Sequence, residues 1–223
     1  MFEWILQSAA WTLLTKLYEK TFTRKKSDCP LVFVTANRHK LQEYRSILGL
    51  ESLQSSGFDL EDVADVSLDA VAKRKVEIAK AKPELKKIPF FVEASGLRIN
   101  AWNGLPGGLT KYFVDQVHTG GICKMMVAYT GNERAAEART VLYLWNQGKL
   151  IGPIVGSIKG CIAEQPYGEA GFGWDSIFIP DGQASGERLT YAELGQELKN
   201  RISPRRVACL ELMAHLKAAG LLR

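Results

Sequence analysis

The sequence has few of the residues on which common catalytic sites are built. It contains three histidines and four cysteines in 223 residues, and no Cys-x-x-Cys pair. It has no Walker-type phosphate loop, no Gly-x-Ser-x-Gly elbow and no His-Glu-x-x-His helix. Histidine-centred catalysis, a zinc site and a disulfide framework are therefore not indicated. We expect reduced thiols and a cytoplasmic location.

The overall composition indicates a compact globular protein. Hydrophobic residues make up 46% of the chain and charged residues 24%, which fits one domain, or one domain with a lobe, with a sizeable core. The net charge of +5 favours anionic ligands such as nucleotides, but it is too small to indicate nucleic acid by itself. The basic residues are also not interleaved with aromatics, so we predict no nucleic-acid partner.

Residues 1–28 have a pattern of their own. Their apolar residues recur at helical spacing and predict an amphipathic helix, which is followed by the basic linker Arg24-Lys25-Lys26. The apolar run is too short for a membrane span and lacks the features of a signal peptide. Three placements stay open: on the body of the protein or at a subunit interface, on a membrane surface, or as a disordered or partner-bound tail. The chain thus divides into this segment and a domain over 29–223.

From residue 31 the pattern becomes that of an α/β domain. Short buried strands alternate with amphipathic helices, and the turn at 146–148 predicts a hairpin between two longer strands. We predict strands over 31–34, 90–92, 97–100 (as a continuation or a partner of the strand before it), 138–145 and 149–163, and helices ending at 49, spanning 68–82 and starting at 204.

The last helix has the clearest boundary. Ser203 is a favourable N-cap, and Pro204 suits the first helical position. The residues that we predict to be buried on this helix are Val207, Leu210, Leu212, Met213 and Leu216.

Glycines and aromatics alternate in the segment Gly171-Phe172-Gly173-Trp174-Asp175. Glycines weaken a strand and mark places where a ligand or another backbone comes close. Aromatic side chains beside such glycines suit the binding of a ligand with a flat ring. The alternative is that Phe172 and Trp174 are core aromatics at the entry to a strand.

Polar side chains follow the predicted strands at their ends, where open α/β sheets bind ligands. Thr35 and Asn37 follow the first strand and open a helix that bears Lys40, so backbone donors and a lysine could converge on a phosphate. The alternative is that Asn37 is only an N-cap and Lys40 a solvated charge.

Acidic and basic residues follow later elements in the same way. Glu93 ends the strand over 90–92, and with Asp62 it could hold Mg²⁺ against phosphate oxygens. Lys199 and Arg205 flank the start of the last helix and add cations there. The alternative for these cations is an ordinary solvated face.

Taken together, these segments resemble the inosine triphosphate pyrophosphatase family, which hydrolyses non-canonical purine nucleoside triphosphates. The resemblance covers nearly all of 31–223. The matching motifs are Thr35-x-Asn37-x-x-Lys40-x-x-Glu43, Val92-Glu93-x-Ser95-Gly96-Leu97, Gly104-Leu105-Pro106-Gly107, Gly171-Phe172-Gly173-Trp174-Asp175, Tyr191-Ala192-Glu193-Leu194, and Lys199-Asn200 with Ser203-x-Arg205.

The resemblance implies a fold and an activity. The fold is an α/β structure with a mixed, twisted central sheet flanked by helices, in two lobes with a ligand cleft between them. The activity is cleavage of ITP, dITP or XTP to the monophosphate and pyrophosphate with Mg²⁺, usually by a homodimer.

The resemblance also implies roles for individual residues. Asn37 and Lys40 bind the triphosphate, and Lys199 and Arg205 read the purine, because cationic donors suit a 6-oxo group and leave the amino group of adenine mismatched. Guanine needs more than one contact to be excluded. The whole substrate-binding set is Thr35, Asn37, Lys40, Ser95, Phe172, Trp174, Asp175, Lys199 and Arg205. The catalytic set is Glu93, position 94 and Lys40, with Asp62 and Glu93 on the metal.

The chain departs from the family pattern at several positions, of which four are the most consequential. Ala94 stands where an aspartate is expected to bind metal and activate water. Pro204 replaces a histidine that contacts the base, Ala36 a glycine, and Ser176 a proline. Loss of a general base typically lowers the rate by about 10²-fold or more.

Two function classes therefore stay open. The chain is either a working pyrophosphatase, with or without an engineered Ala94, or a catalytically weak purine-nucleotide-binding relative that senses or sequesters nucleotides or interacts with a partner. A purine nucleoside triphosphate is the expected ligand in both classes.

Overall fold

A computed structural model describes residues 31–60, 63–183 and 186–222. The N-terminal helix that we predict over 1–28 lies outside these residues and stays a prediction, as does the domain boundary at 28/29. No helix in the described part of the chain is long and apolar enough to cross a membrane.

A six-stranded mixed sheet forms the centre of the fold, in the order β2-β1-β3-β4-β5-β6. The first three strands in this order run parallel, and the others continue antiparallel from β3. This confirms the predicted mixed α/β sheet. The strands are β1 (Val32–Phe33), β2 (Gln54–Ser55), β3 (Phe90–Ile99), β4 (Ala135–Asn146), β5 (Lys149–Ile162) and β6 (Phe178–Pro180).

Five helices flank the sheet in the described residues. They are α1 (Arg38–Leu48), α2 (Leu68–Lys80), α3 (Thr110–Met125), α4 (Tyr191–Ile202) and α5 (Pro204–Ala218). The sequence predicts α1, α2 and α5 but misses α3 and α4. Both contain a residue with positive φ, His118 in α3 and Gly195 in α4, so each is interrupted and its apolar periodicity is broken. The capping box of Thr190 and Glu193 marks the start of α4 in the sequence.

Strand β3 is a single strand of ten residues, so the segment predicted over 97–100 continues the strand over 90–92 and is not its partner. Gly96 lies within it because a side chain there would overlap the carbonyl oxygen of Gly107. The glycine therefore marks a close backbone approach and does not end the strand.

The two faces of β3 are directed to different helices. Phe91 belongs to the hydrophobic cluster that includes residues of α1 and α5, whereas Phe90 belongs to the cluster that includes residues of α2. Since side chains alternate along a strand, Glu93 and Ser95 share the face of Phe91, and Ala94 shares the face of Phe90. Further along, Leu97 joins a third cluster with residues of α3 and β6. This alternation decides which side chains meet in the site.

Helix α5 starts as predicted, with Pro204 in its first turn and the Ser203 hydroxyl accepting a hydrogen bond from the backbone N–H of Arg206 at 3.1 Å. The predicted buried stripe is wrong at Leu210, which is 37% exposed, and only Leu212 and Leu216 are fully buried, since Val207 and Met213 are half-buried. Ala208 is buried, at the point where the backbone of α5 approaches Gly156 of β5.

Candidate functional site

Three acids and three bases from separate elements meet in one ion-pair network. Their formal charges cancel. Each element contributes only one or two of them, so the network exists only in the folded chain. Its members are Lys40, Glu43, Glu93, Asp175, Lys199 and Arg205.

Arg205, in the first turn of α5, holds Glu93 of β3 through two hydrogen bonds. Its Nε lies 2.9 Å from Glu93 Oε2, and its Nη2 lies 2.8 Å from Oε1. Lys40 Nζ approaches the same carboxylate at 3.2 Å, and Arg205 also donates to Glu43. Burial lowers the pKa of Arg205 to about 10. The fork geometry fixes the guanidinium plane at the floor of the site.

Lys199 of α4 bridges Glu43 and Asp175. Its Nζ lies 2.7 Å from Glu43 Oε1 and 2.5 Å from Asp175 Oδ2. Burial raises the pKa of Asp175 and lowers that of Lys199, although each side chain opposes the shift of the other by its charge. Lys199 and Arg205 are both buried, so the interpretation of these cations as a solvated face is wrong.

Glu43 belongs to the first of the matching motifs, but the sequence assigned it no role in the site. It is 1% exposed and accepts hydrogen bonds from Lys199, Arg205 and, at 2.9 Å, from Gln196 Nε2. Its position three residues after Lys40 on α1 was the available signal, since residues three apart share a helix face.

The two aromatics of the glycine-rich segment have different surroundings. Lys199 Nζ lies 4.5 Å from the centroid of the Phe172 ring, and the His39 ring stacks on Phe172 at 5.3 Å. Trp174 packs edge-on against Phe178 with 5.7 Å between ring centroids. Phe172 is therefore placed beside the cations, whereas Trp174 also belongs to the core.

A cavity of about 40 Å³ lies next to these aromatics. We call it the base cavity. The residues that line it are Ser95, Thr140, Phe172, Gly173, Trp174, Asp175, Tyr191, Lys199, Ser203, Pro204 and Arg205.

A second cavity, of about 120 Å³, shares Ser95 as a lining residue with the base cavity. We call it the lysine cavity because Lys40, Lys75 and Lys111 line it. Lys75 Nζ donates to the backbone carbonyl of Glu93 at 3.3 Å. Of these lysines the sequence predicts only Lys40. The other two lie on α2 and α3, and no motif points to them.

Thr35 and Asn37 also line the lysine cavity. The Asn37 side chain caps α1 by accepting from the backbone N–H of Lys40 at 3.1 Å. Asn37 is thus an N-cap, as the alternative interpretation predicts, but it also lines the cavity. Lys40 is paired with Glu93 rather than simply solvated.

Ala94 lines the lysine cavity from the α2 face of β3, in the cluster that contains Val92. It is 3% exposed and its methyl group offers neither a proton acceptor nor a metal ligand. Its neighbour Glu93 leaves β3 on the other face and also lines the cavity, but its carboxylate is already held by Arg205 and Lys40. Glu93 therefore offers no free acid in place of one at position 94 in this arrangement.

The described residues do not form a preorganised Mg²⁺ site. They contain no group of three His, Cys, Asp or Glu side chains that could hold a metal. Two carboxylates line the lysine cavity: Asp59 accepts from the backbone N–H of Ala36 at 3.1 Å, and Glu93 is held by Arg205 and Lys40. Asp62, which the sequence assigns to the metal, lies outside the described residues.

Both cavities are smaller than the roughly 300–1,000 Å³ typical of ligand pockets. The aromatic segment lies over the base cavity. Gly171 and Gly173 both have positive φ, and the backbone N–H of Phe172 donates to Asp175 Oδ2 at 2.8 Å. Asp175 thus fixes the segment as well as pairing with Lys199.

Comparison with known proteins agrees with this geometry. Residues 31–215 match the model of the Ham1 family. The inosine triphosphate pyrophosphatase of Schizosaccharomyces pombe is 34% identical over 189 residues, which cover 84% of this chain and 95% of the relative. The dITP/XTP pyrophosphatase of Methanopyrus kandleri is 38% identical over 176 residues, which cover 78% and 89%.

The solved structures agree as well. A HAM1 protein from Coxiella burnetii superposes with a TM-score of 0.67 at 27% identity, over 84% of this chain and 98% of that one. The family model matches most of the chain, the curated relatives are identical to it at about a third of the aligned residues, and the fold is the same. The chain therefore belongs to the Ham1 family.

Proposed function

We propose that this protein is a nucleoside triphosphate pyrophosphohydrolase that cleaves non-canonical purine nucleotides, ITP, dITP or XTP, to the monophosphate and pyrophosphate. The observation that carries the proposal is the pair of cavities that meet at Ser95: one is lined by aromatics and paired cations, the other by three lysines. A purine ring matches the first, and a triphosphate matches the second.

The two cavities that share Ser95 bind different parts of the nucleotide. In the lysine cavity, Lys40, Lys75 and Lys111 oppose the negative charge of the triphosphate, and the backbone N–H groups at the start of α1 add donors. In the base cavity, Lys199 and Arg205 present N–H donors to a 6-oxo group. Adenine would leave these donors facing another donor, which disfavours ATP.

Ala94 favours a second candidate function, that of a catalytically weak purine-nucleotide-binding relative. Both described carboxylates that line the lysine cavity already have partners: Asp59 accepts a hydrogen bond from a backbone N–H, and Glu93 is paired with Arg205. Ala94 offers no base. Binding of the nucleotide needs none of the missing groups. In this function the chain would sense or sequester the nucleotide.

Both functions are tested by measuring pyrophosphate release in the presence of Mg²⁺, for the wild-type chain and for Ala94→Asp. The substrates are ITP, XTP and dITP, and ATP and GTP are measured for comparison. We expect the 6-oxo purines ITP and XTP to exceed ATP, and Ala94→Asp to raise kcat by about 10²-fold because it restores a base. Ala94→Asn has the same shape without a carboxylate and is the matched control, for which no gain is expected.

The outcomes separate the functions. Measurable release by the wild-type chain supports the enzyme. Binding of ITP without release from either form supports the binding relative, and no binding of ITP or XTP by the wild-type chain contradicts both.

Three further features belong to the same proposal. Mg²⁺ would arrive on the phosphates of the nucleotide and complete its ligands there, so chelation should abolish release. We also propose a homodimer, which sedimentation equilibrium tests, and a cytoplasmic location, in keeping with the three free cysteines among the described residues.

A further inference from the structure

Thr140, in the middle of β4, has a buried hydroxyl without a partner. The residue is 1% exposed, and its Oγ1 makes no hydrogen bond in the described part of the protein. A buried hydroxyl that leaves water without gaining a partner costs free energy. An apolar β-branched residue would fill the same strand position without this cost. Threonine is therefore favourable at position 140 only if something binds its hydroxyl.

The position of Thr140 suggests what binds it. Thr140 lies directly opposite Ser95 in the β3–β4 pairing, so both side chains stand on the same face of the sheet. That face is the floor of the base cavity, which Phe172, Lys199 and Arg205 also line. Tyr44 Oη and Asn146 Oδ1 are the other unpartnered buried side-chain atoms of the described residues, and neither residue lines this cavity.

Comparable buried threonines show the contrast. The Thr110 hydroxyl donates to the carbonyl of Gly107 at 2.6 Å and accepts from the backbone N–H of Leu97 at 2.9 Å. The Thr190 hydroxyl donates to the carbonyl of Tyr167 at 2.8 Å. Both hydroxyls bond to the protein's own backbone, whereas Thr140, which lines the base cavity, has no such partner for its hydroxyl.

We propose that Thr140 is a substrate-binding residue whose hydroxyl forms a hydrogen bond with the polar edge of the bound purine. The inference rests on the proposed function and adds to it a base contact from the sheet, beside those from α4 and α5. A hydroxyl both donates and accepts, so Thr140 contributes affinity for oxo purines in general. Discrimination against the amino group of adenine stays with Lys199 and Arg205.

The test is Thr140→Val, which keeps the shape and strand preference of threonine and removes the hydroxyl. We expect Kd for ITP and for XTP to rise together by about 3- to 10-fold, the usual effect of one hydrogen bond. The melting temperature of the nucleotide-free protein should stay the same or rise, because no hydrogen bond is lost. Titration calorimetry with Ca²⁺ in place of Mg²⁺ measures binding without turnover.

Two variants serve as controls. Thr140→Ser keeps the hydroxyl and should retain the wild-type affinity. Thr110→Val removes a satisfied hydroxyl and should lower the melting temperature by several degrees.

Each other outcome overturns the inference. An unchanged Kd in Thr140→Val, with a wild-type chain that binds ITP, shows that the hydroxyl does not contact the base. A melting temperature that falls as far as in Thr110→Val shows a structural hydroxyl. A wild-type chain that binds neither ITP nor XTP contradicts the proposed function itself, and the Thr140 contact with it.

Discussion

At the scale of single residues, Glu43 shows how one side chain organises a site. Its two carboxylate oxygens lie against Lys199 and Arg205, which come from different helices. A buried ion pair of this kind contributes little net stability, because desolvation offsets attraction. Its effect is to fix the directions of two cations that would otherwise repel each other.

Removing the charge of Glu43 should therefore be costly. In Glu43→Gln, Lys199 and Arg205 each keep one acid but lose the carboxylate that they share. Breaking a buried pair typically costs about 3–5 kcal/mol, so the melting temperature should fall by roughly 6 °C or more. Calorimetry measures this. Glu211→Gln, on the exposed face of α5, is the control and should change stability by no more than about 0.5 kcal/mol. Equal melting temperatures for the two variants would contradict the role of Glu43.

At the scale of elements, α2 is joined to the sheet by a hydrogen bond at its first turn. The Tyr143 hydroxyl of β4 donates to Asp69 Oδ1 at 2.6 Å, and Lys73 Nζ lies 2.8 Å from Asp69 Oδ2. The hydrogen bond from Lys73 and then that from Tyr143 lower the pKa of Asp69. This junction positions the helix that carries Lys75 into the lysine cavity.

The junction predicts a dependence of stability on pH. Because the pKa of Asp69 is lower in the folded than in the unfolded chain, its contribution is complete above the ordinary value of 3.8 and is lost as pH falls through the folded pKa. Tyr143→Phe should raise the pKa of Asp69 and lower the melting temperature at pH 7 by a few degrees. It should also reduce the fall in melting temperature at acidic pH, which we call the acid limb of the curve. Melting curves from about pH 2 to pH 7 cover the window in which the contribution is lost and measure both effects.

Tyr167→Phe, at an exposed tyrosine, is the control for this prediction and should leave the curve unchanged. If Tyr143→Phe has the same acid limb as the wild type, the hydrogen bond to Asp69 does not join α2 to the sheet.

At the scale of the whole molecule, the site depends on how closely α5 packs on β5. Gly156 of β5 pairs with Thr140, and a Cβ there would overlap the carbonyl oxygen of Pro204 and lie 2.6 Å from the backbone nitrogen of Ala208. Only glycine allows this approach. The approach brings Arg205 to the sheet face that carries Glu93.

Gly156→Ala should therefore disturb both stability and the site. Overpacking costs about 1–3 kcal/mol, or roughly 2–12 °C in melting temperature for a protein of this size, and displacement of α5 should weaken ITP binding. Gly120→Ala is the matched control, because the nearest atom to its added methyl group lies 3.9 Å away. A Gly156→Ala protein as stable as Gly120→Ala would show that α5 can shift without cost.

Much of the fold and the site can be predicted from the sequence. The apolar patterns correctly predict the α/β class and the start of α5, and the motifs point to Lys40, Glu93, Lys199 and Arg205, which do meet. Local signals fail where a helix is interrupted, as at Gly195, and where an apolar residue of a helix lies exposed, as at Leu210.

The sequence by itself determined which residue types are present at the site and that an acid is absent at position 94. Only the tertiary structure decided which partners they have. The pairing of Glu43 with two helices, the arrival of Lys75 and Lys111, and the unpartnered Thr140 opposite Ser95 depend on contacts between residues distant in the chain. Periodicity reports only local neighbours, so the sequence does not show which of these distant residues meet.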